Sequence, residues 1–268
     1  MGEQMIAVIG AGKMGEALVS GLLKAGTSPD DLIITERYEE RAHELSQRYG
    51  VKSVSNADAA NQAETIVLAV KPQDMEALLA ELAPVVTPDR LIVTIAAGIT
   101  TAAIERHLAA GVPVVRVMPN TPALVGEAMS AVAPGAHASA EHLDRAEALF
   151  RPVGRVVRLP ESQLDAVTAL SGSGPAYVFY LVEAMTDAGI LLGLPRAVAH
   201  ELIVQTVYGA AVMLRETGEH PVALREAVTS PAGTTISAIR ELENHGVRAA
   251  FLAALEAARD RSRELAGE

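Results

Sequence analysis

Hydrophobic residues are arranged in two ways along the chain, and the change falls near residue 160. Before it, short consecutive apolar runs alternate with stretches whose apolar positions return every three or four residues. Met5-Ile6-Ala7-Val8-Ile9, Leu32-Ile33-Ile34-Thr35, Thr65-Ile66-Val67-Leu68-Ala69-Val70, Leu91-Ile92-Val93-Thr94-Ile95 and Val114-Val115-Arg116-Val117-Met118 predict buried strands. Val153-Gly154-Arg155-Val156-Val157 predicts the last one. Between strands, the segment from Glu16 to Leu23 and that from Glu39 to Tyr49 have helical spacing, and Asn56 reads as the N-cap of a further short helix. Such alternation builds a parallel sheet covered on both faces by helices. Beyond residue 160 no strand is expected. Helices are predicted from Glu161 into Ser171, from Ala176 towards Leu192, and over Arg196–Glu216, Val222–Val228, Thr234–Asn244 and Val247–Leu265. The chain therefore reads as an α/β domain over residues 1–160 and an all-α domain over 161–268. Several late helices are apolar around much of their circumference, as in Ala176-Tyr177-Val178-Phe179-Tyr180-Leu181-Val182, so a homodimer with intertwined helices is expected to bury them.

The first strand runs directly into Gly10-Ala11-Gly12-Lys13-Met14-Gly15, which is G-x-G-x-x-G followed by a helix. In that context the motif marks a dinucleotide site. Gly10 makes the tight turn, Gly12 lets a phosphate approach the backbone, and Gly15 lets helix and strand pack closely. A pyrophosphate then rests on the free N–H groups of the helix start. The second strand ends at Glu36-Arg37, where such folds read the adenosine ribose. An acid there suits a free 2′-hydroxyl and an Arg suits a 2′-phosphate, so NADH and NADPH both remain open. Polar and small residues gather after the other strands too: Lys71-Pro72, Ala96-Ala97-Gly98 and Pro119-Asn120-Thr121-Pro122.

Composition narrows the picture. Half of the 268 residues are hydrophobic but only 3% are aromatic, so the core is built from Ala, Val, Leu and Ile. A net charge of −11 with no basic stripe argues against nucleic acid as a partner. No cysteine is present, and the seven histidines follow no metal-ligand spacing, so no metal site is expected. No apolar run approaches the roughly 18–20 residues of a membrane helix. No signal peptide is evident at the N-terminus, and a cytoplasmic location is expected.

Two loops stand out in the helical part. Ser171-Gly172-Ser173-Gly174-Pro175 is not a nucleophile elbow, because residue 171 is Ser and no strand precedes it; it reads as a cradle for phosphate or substrate, or as a plain interhelical hinge. Val228-Thr229-Ser230-Pro231-Ala232-Gly233-Thr234-Thr235 leads into a helix whose first N–H groups suit a carboxylate.

With GAGKMGEAL at the start, AVKPQ at 69–73, RVMPNTP at 116–122, SGSGPAY at 171–177 and VTSPAGTT at 228–235, nearly the whole chain resembles the pyrroline-5-carboxylate reductase family. The resemblance implies a Rossmann-like N-terminal domain, an all-α C-terminal dimerisation domain, and assembly of dimers into a decamer. The implied reaction is reduction of 1-pyrroline-5-carboxylate to proline by NADPH or NADH. It further implies that Thr235 hydrogen-bonds the ring nitrogen and that the Gly233 and Thr234 N–H groups hold the carboxylate. Ser171, Gly172, Ser173, Gly174, Pro175 and Ser230 would shape the substrate site. Gly10, Gly12, Lys13, Met14, Gly15, Glu36, Arg37, Asn56, Ala69, Val70, Lys71, Pro72, Ala97, Gly98, Asn120 and Thr121 would meet the cofactor. Ala232 stands where the family usually has glycine, and Glu36-Arg37 differs from the pattern common in NADPH-preferring members. A related imine reductase or dehydrogenase, a non-catalytic NAD(P)-sensing protein and a purely structural oligomer are the alternative readings.

Overall fold

Eight strands form one sheet in the computed structural model, which describes residues 5–266. They are β1 (Ile6–Ile9), β2 (Leu32–Thr35), β3 (Lys52–Ser53), β4 (Thr65–Leu68), β5 (Leu91–Thr94), β6 (Val114–Met118), β7 (Ala128–Pro134) and β8 (Gly154–Arg158), in the order β3-β2-β1-β4-β5-β6-β7-β8. The first six are parallel. β7 runs antiparallel to β6 and carries β8 parallel to itself. This departs from the expected all-parallel sheet, and β7 was not foreseen. Its Ala-Met-Ser-Ala-Val-Ala-Pro sequence is poor in β-branched residues, and pairing with β6 rather than intrinsic propensity makes it a strand.

Side chains on successive strand positions point to opposite faces, so each strand serves two cores. Val8, Ile34, Val67, Val93 and Val115 pack on one face with Leu18 and Leu22 of α1 (Lys13–Lys24), Leu45 of α2 (Glu39–Tyr49) and Phe150 of a later helix. Ala7, Ile33, Ile66 and Ile92 face the other way, with Ala59 of α3 (Asn56–Gln62), Leu78 and Leu82 of α4 (Met75–Leu82) and Ile104 of α5 (Thr101–Glu105). The N-cap of α3 is Ser55, whose side chain accepts from the Asp58 N–H at 3.1 Å; Asn56 is the first helical residue, so the cap lies one place earlier than expected. α6 (Ala140–Phe150) closes the first face.

The segment after β8 contains α7 (Leu164–Val167) and then a π-helical turn over Thr168–Gly172, closed by the Ser173 N–H on the Thr168 carbonyl at 2.8 Å. Ser171 and Gly172 therefore lie in a π-turn and Gly174 opens the next helix, with Ser173 a single bend between them, rather than forming an open interhelical loop. α8 (Gly174–Leu191), α9 (Arg196–Thr217), α10 (Pro221–Ala227), α11 (Thr234–Asn244) and α12 (Val247–Ala266) come next.

Contacts divide the described chain into a unit of residues 174–257 and a unit holding 5–173 together with 258–266. In the sheet unit, Ser262 of α12 donates to Asp165 of α7 at 2.7 Å, with both residues buried. In the helical unit, α8 and α9 form a hairpin in which Gly189 lies against Ala199 too closely for a side chain to be added at 189. Among the described residues of that unit only Thr186, Ala199 and Ile203 are buried, whereas Tyr180 is 74% and Leu191 89% exposed. Among the described residues, α9 is the one helix long and apolar enough to cross a membrane. No such helix is expected from uninterrupted apolar runs, but α9 reaches the threshold with polar residues interspersed.

Glu147 fastens α6 to β8 and to the turn that joins them. Its buried carboxylate accepts from Arg158 of β8 and from Arg151 Nη2 at 2.6 Å. The Arg158 bond, opposed by burial and reinforced by Arg151, holds the Glu147 carboxyl below the usual carboxylate range. A carboxyl depressed by folding adds stability above its unfolded pKa of about 4.3, and loses it as pH falls through the folded value. Glu147→Gln should therefore lower Tm at pH 7, with the deficit shrinking in acid below the ordinary glutamate range. A thermal denaturation series in pH checks this; a deficit independent of pH would mean that packing, not the ion pairs, is what the variant lost.

Candidate functional site

The sheet order places β2 and β4 on either side of β1, so the chain reverses direction of growth at the carboxyl end of β1. Ligands of open parallel sheets bind at such a switch point. The glycine turn stands there. Gly10 has φ +92°, and a Cβ on it would lie 2.9 Å from the Ala69 carbonyl group at the end of β4. Its N–H donates to the Thr35 carbonyl, and the Ala69 N–H donates to the Ile9 carbonyl, which ties the ends of β1, β2 and β4 together. At Gly15 a Cβ would collide with the Gly10 carbonyl oxygen, so the first turn of α1 sits directly on the glycine turn. Gly12 differs from both. It is the N-cap of α1, with φ −65°, and nothing lies within 4 Å of where its Cβ would be. The Glu16 N–H makes the first bond of α1, to the Gly12 carbonyl, which leaves the N–H groups of Lys13, Met14 and Gly15 without acceptors among the described residues.

The direction of α1 is held from its far side. Glu16 accepts from Arg41, from Arg48 Nη1 at 2.8 Å and from the Tyr49 hydroxyl at 2.9 Å, all on α2. Burial raises the Glu16 carboxyl, but the Tyr49 hydroxyl and the two guanidiniums outweigh it and keep it below its ordinary range.

The remaining expected cofactor residues lie at the same end of the sheet. Glu36 and Arg37 follow β2; one Glu36 oxygen accepts the Tyr38 N–H at 3.3 Å, and Arg37 is exposed. The Asn56 carboxamide bridges the Thr35 hydroxyl at 2.7 Å and Glu81 at 2.9 Å. Ala69, Val70, Lys71 and Pro72 follow β4, and Ala97 and Gly98 follow β5. Gly98 is backed by Leu265 of α12. Asn120 and Thr121 follow β6; Thr121 is exposed, but Asn120 is buried and its amide is engaged inside the chain.

In the helical unit, Ser230-Pro231-Ala232-Gly233 forms a turn closed by the Gly233 N–H on the Ser230 carbonyl at 3.1 Å. Pro231 occupies the second position and Ala232 the third, with φ +56°. That is the type II arrangement, whose third position favours glycine. Gly233 then N-caps α11. Its N–H is spent on the turn, which moves the expected carboxylate donors along by one. Among the described residues, the Thr234, Thr235 and Ile236 N–H groups have no acceptor and the Thr235 hydroxyl has no hydrogen-bond partner. Ile236 was not expected among them. A backbone donor leaves no mark in residue type, and counting three positions from the cap was the one signal available.

Two variants separate fold from site at the glycine turn. Gly15→Ala should lower Tm by several degrees, because backbone must move to admit the methyl. Gly12→Val should stay within about 3 °C of the parent, the cost of a poorer N-cap, while filling the open space before the free N–H groups and abolishing dinucleotide binding. Thermal melts and fluorescence titration with NADPH read both; retained affinity in Gly12→Val would displace the pyrophosphate from this turn. Ala232→Gly relieves a positive φ costing about 1–2 kcal/mol, partly offset by a more flexible unfolded chain. A small rise in Tm should be seen by calorimetry, and a fall would mean the alanine methyl makes compensating contacts.

Comparison with known proteins supports the same picture. Residues 161–265 match the family model described as pyrroline-5-carboxylate reductase dimerisation, and residues 5–98 match that described as NADP oxidoreductase, coenzyme F420-dependent. The pyrroline-5-carboxylate reductase of Corynebacterium melassecola is 50% identical over 264 residues, spanning 97% of this chain and 98% of its own. Among solved structures, the pyrroline-5-carboxylate reductase of Coxiella burnetii superposes with a TM-score of 0.93 at 37% identity, over 98% of each chain. The Plasmodium falciparum pyrroline carboxylate reductase with NADP bound superposes with a TM-score of 0.89 at 27% identity, over 99% of each chain. Near-complete coverage at these identities, on a sheet and glycine turn of this geometry, places the chain in the pyrroline-5-carboxylate reductase family.

Proposed function

We propose that this protein reduces 1-pyrroline-5-carboxylate to L-proline with NADPH or NADH, the last step of proline biosynthesis. The observation that carries the reading is the open space at Gly12, in front of three free N–H groups, on a chain of this family. It fits a pyrophosphate and would be filled by any other residue. Lys13, Met14 and Gly15 would donate to the phosphates, and Ala69 to Pro72, Ala97 and Gly98, and Thr121 would line the rest of the dinucleotide. When bound, the reduced nicotinamide supplies a hydride to the imine carbon.

The chain's own task is then to hold and orient the imine. No His, Lys or carboxylate occurs between Ser171 and Pro175 or between Val228 and Thr235, so neither segment offers a general acid. None is needed, since a cyclic imine takes its proton from solvent before reduction. The N–H groups of Thr234, Thr235 and Ile236, at the positive end of the α11 dipole, suit the substrate carboxylate. The unengaged Thr235 hydroxyl suits the ring nitrogen. Such contacts act by proximity and orientation. The exposed apolar faces of α8 and α9 fit a homodimer, and we expect dimers to assemble into a decamer in the cytoplasm.

The direct test follows NADPH and NADH absorbance with pyrroline-5-carboxylate supplied and proline measured as product; no turnover with either cofactor overturns the reading. Thr235→Ala should lower kcat/KM by roughly tenfold, about 1–2 kcal/mol, and leave dinucleotide Kd unchanged. An unaltered kcat/KM would remove Thr235 from the reaction.

A further inference from the structure

The carbonyl of Ser171 has an unusual donor. In a regular helix it would accept from the N–H four residues on, but residue 175 is proline and has none. The turn around it is wound as a π-helix over Thr168–Gly172. The missing bond is made from another element: Asn120 Nδ2, at the end of β6, donates to the Ser171 carbonyl at 3.1 Å. The orientation of that amide is fixed, because its Oδ1 accepts the Met129 N–H of β7 at 2.9 Å. Asn120 is 9% exposed, so the bond is shielded from competing water. A second contact seats the same turn on the same strand. Met118 of β6 lies so close to Gly172 that a Cβ there would be 2.6 Å from its terminal methyl.

We propose that Asn120 is a positioning residue. By supplying the donor that Pro175 lacks, it sets the π-turn and hence the pose of Ser171 and Ser173 towards the imine substrate, rather than touching the dinucleotide itself. This rests on the proposed reductase activity for its substrate. The bond and its consequence for the turn rest on the fold alone.

Asn120→Asp tests it in the full-length oligomer. The substitution keeps the acceptor for Met129 and the side-chain size, removes the donor, and sets a carboxylate against the Ser171 carbonyl. The KM for pyrroline-5-carboxylate should rise about tenfold or more, with NADPH Kd within about twofold of the parent. Amides of residues 168–173 should exchange hydrogen faster. The loss should also shrink as pH falls, because burial raises the pKa of the introduced carboxyl and its protonated form can donate again. Adding Pro175→Ala restores a backbone N–H and should recover much of the loss. If Asn120→Asp alone does not fold, the double variant must; a double variant as unstable as the single overturns the proposal. A raised NADPH Kd with unchanged imine KM would make Asn120 a cofactor contact instead. Absence of turnover in the parent protein would sink the activity reading only. Unchanged exchange of residues 168–173 in Asn120→Asp would sink this one.

Discussion

The seating of α1 on the glycine turn is the constraint on which the sheet unit depends. The Gly10 carbonyl lies where a Cβ of residue 15 would be, so helix and strand meet at backbone distance. β1 is hydrogen-bonded on both sides, to β2 and β4, so a shift of α1 would disturb three strand ends at once. Glu16 binds the same helix to α2 by three side chains, and Leu18 and Leu22 bury its inner face. Rigidity of this kind is what an anion site needs: donors aimed before the ligand arrives do not have to be ordered when it binds.

The helical unit obeys a different logic. Its hairpin of α8 and α9 is close at Gly189 and Ala199, yet it leaves Phe179, Tyr180, Leu191 and Tyr208 largely exposed. Burying one such side chain is worth about 1.5–3 kcal/mol, so an exposed set of this size is a standing force for association. The same circumference of apolar residues that lets α9 meet the length and hydropathy of a membrane span is what a helix needs when it packs on several neighbours. The match of residues 161–265 to a dimerisation model accounts for those neighbours within the family.

Most of this architecture was legible because it depends on local pattern. Strands made of Ile and Val and buried on both faces advertise themselves, and the helices from α8 to α12 fall within two residues of the expected limits. What was not legible depends on partners distant in sequence. β7 is a strand because β6 offers it a ladder, and its Ala and Ser residues carry no sign of that. Ser55 and Asn56 are both good caps, and nothing local says which is used. The π-turn needs a proline at 175 and an amide at 120, some fifty positions apart, so it reads locally as a flexible Gly-Ser loop. At the turn before α11, residue types pointed to the free N–H groups of a helix start, but the Ser230–Gly233 bond takes the first of them and leaves those of Thr234, Thr235 and Ile236.

The ribose end of the proposed cofactor site shows how hydrogen bonding refines a choice that residue identity leaves open. Glu36 and Arg37 together favour neither cofactor, since a guanidinium–phosphate attraction and a carboxylate–phosphate repulsion are each on the order of 1–3 kcal/mol. In the folded chain one Glu36 oxygen is engaged by the Tyr38 N–H, which turns the carboxylate onto its own loop. One oxygen is left to accept from a ribose hydroxyl. Arg37 is exposed and makes no ion pair among the described residues, so swinging towards a 2′-phosphate breaks no existing contact. Arg41, the next cation, is already held by Glu16 and Glu44 and would have to leave both. In the proposed site, a loop with one free acceptor and one uncommitted guanidinium, next to an α2 guanidinium tied to Glu16 and Glu44, would suit either ribose, with the phosphate gaining from a single arginine rather than a cluster.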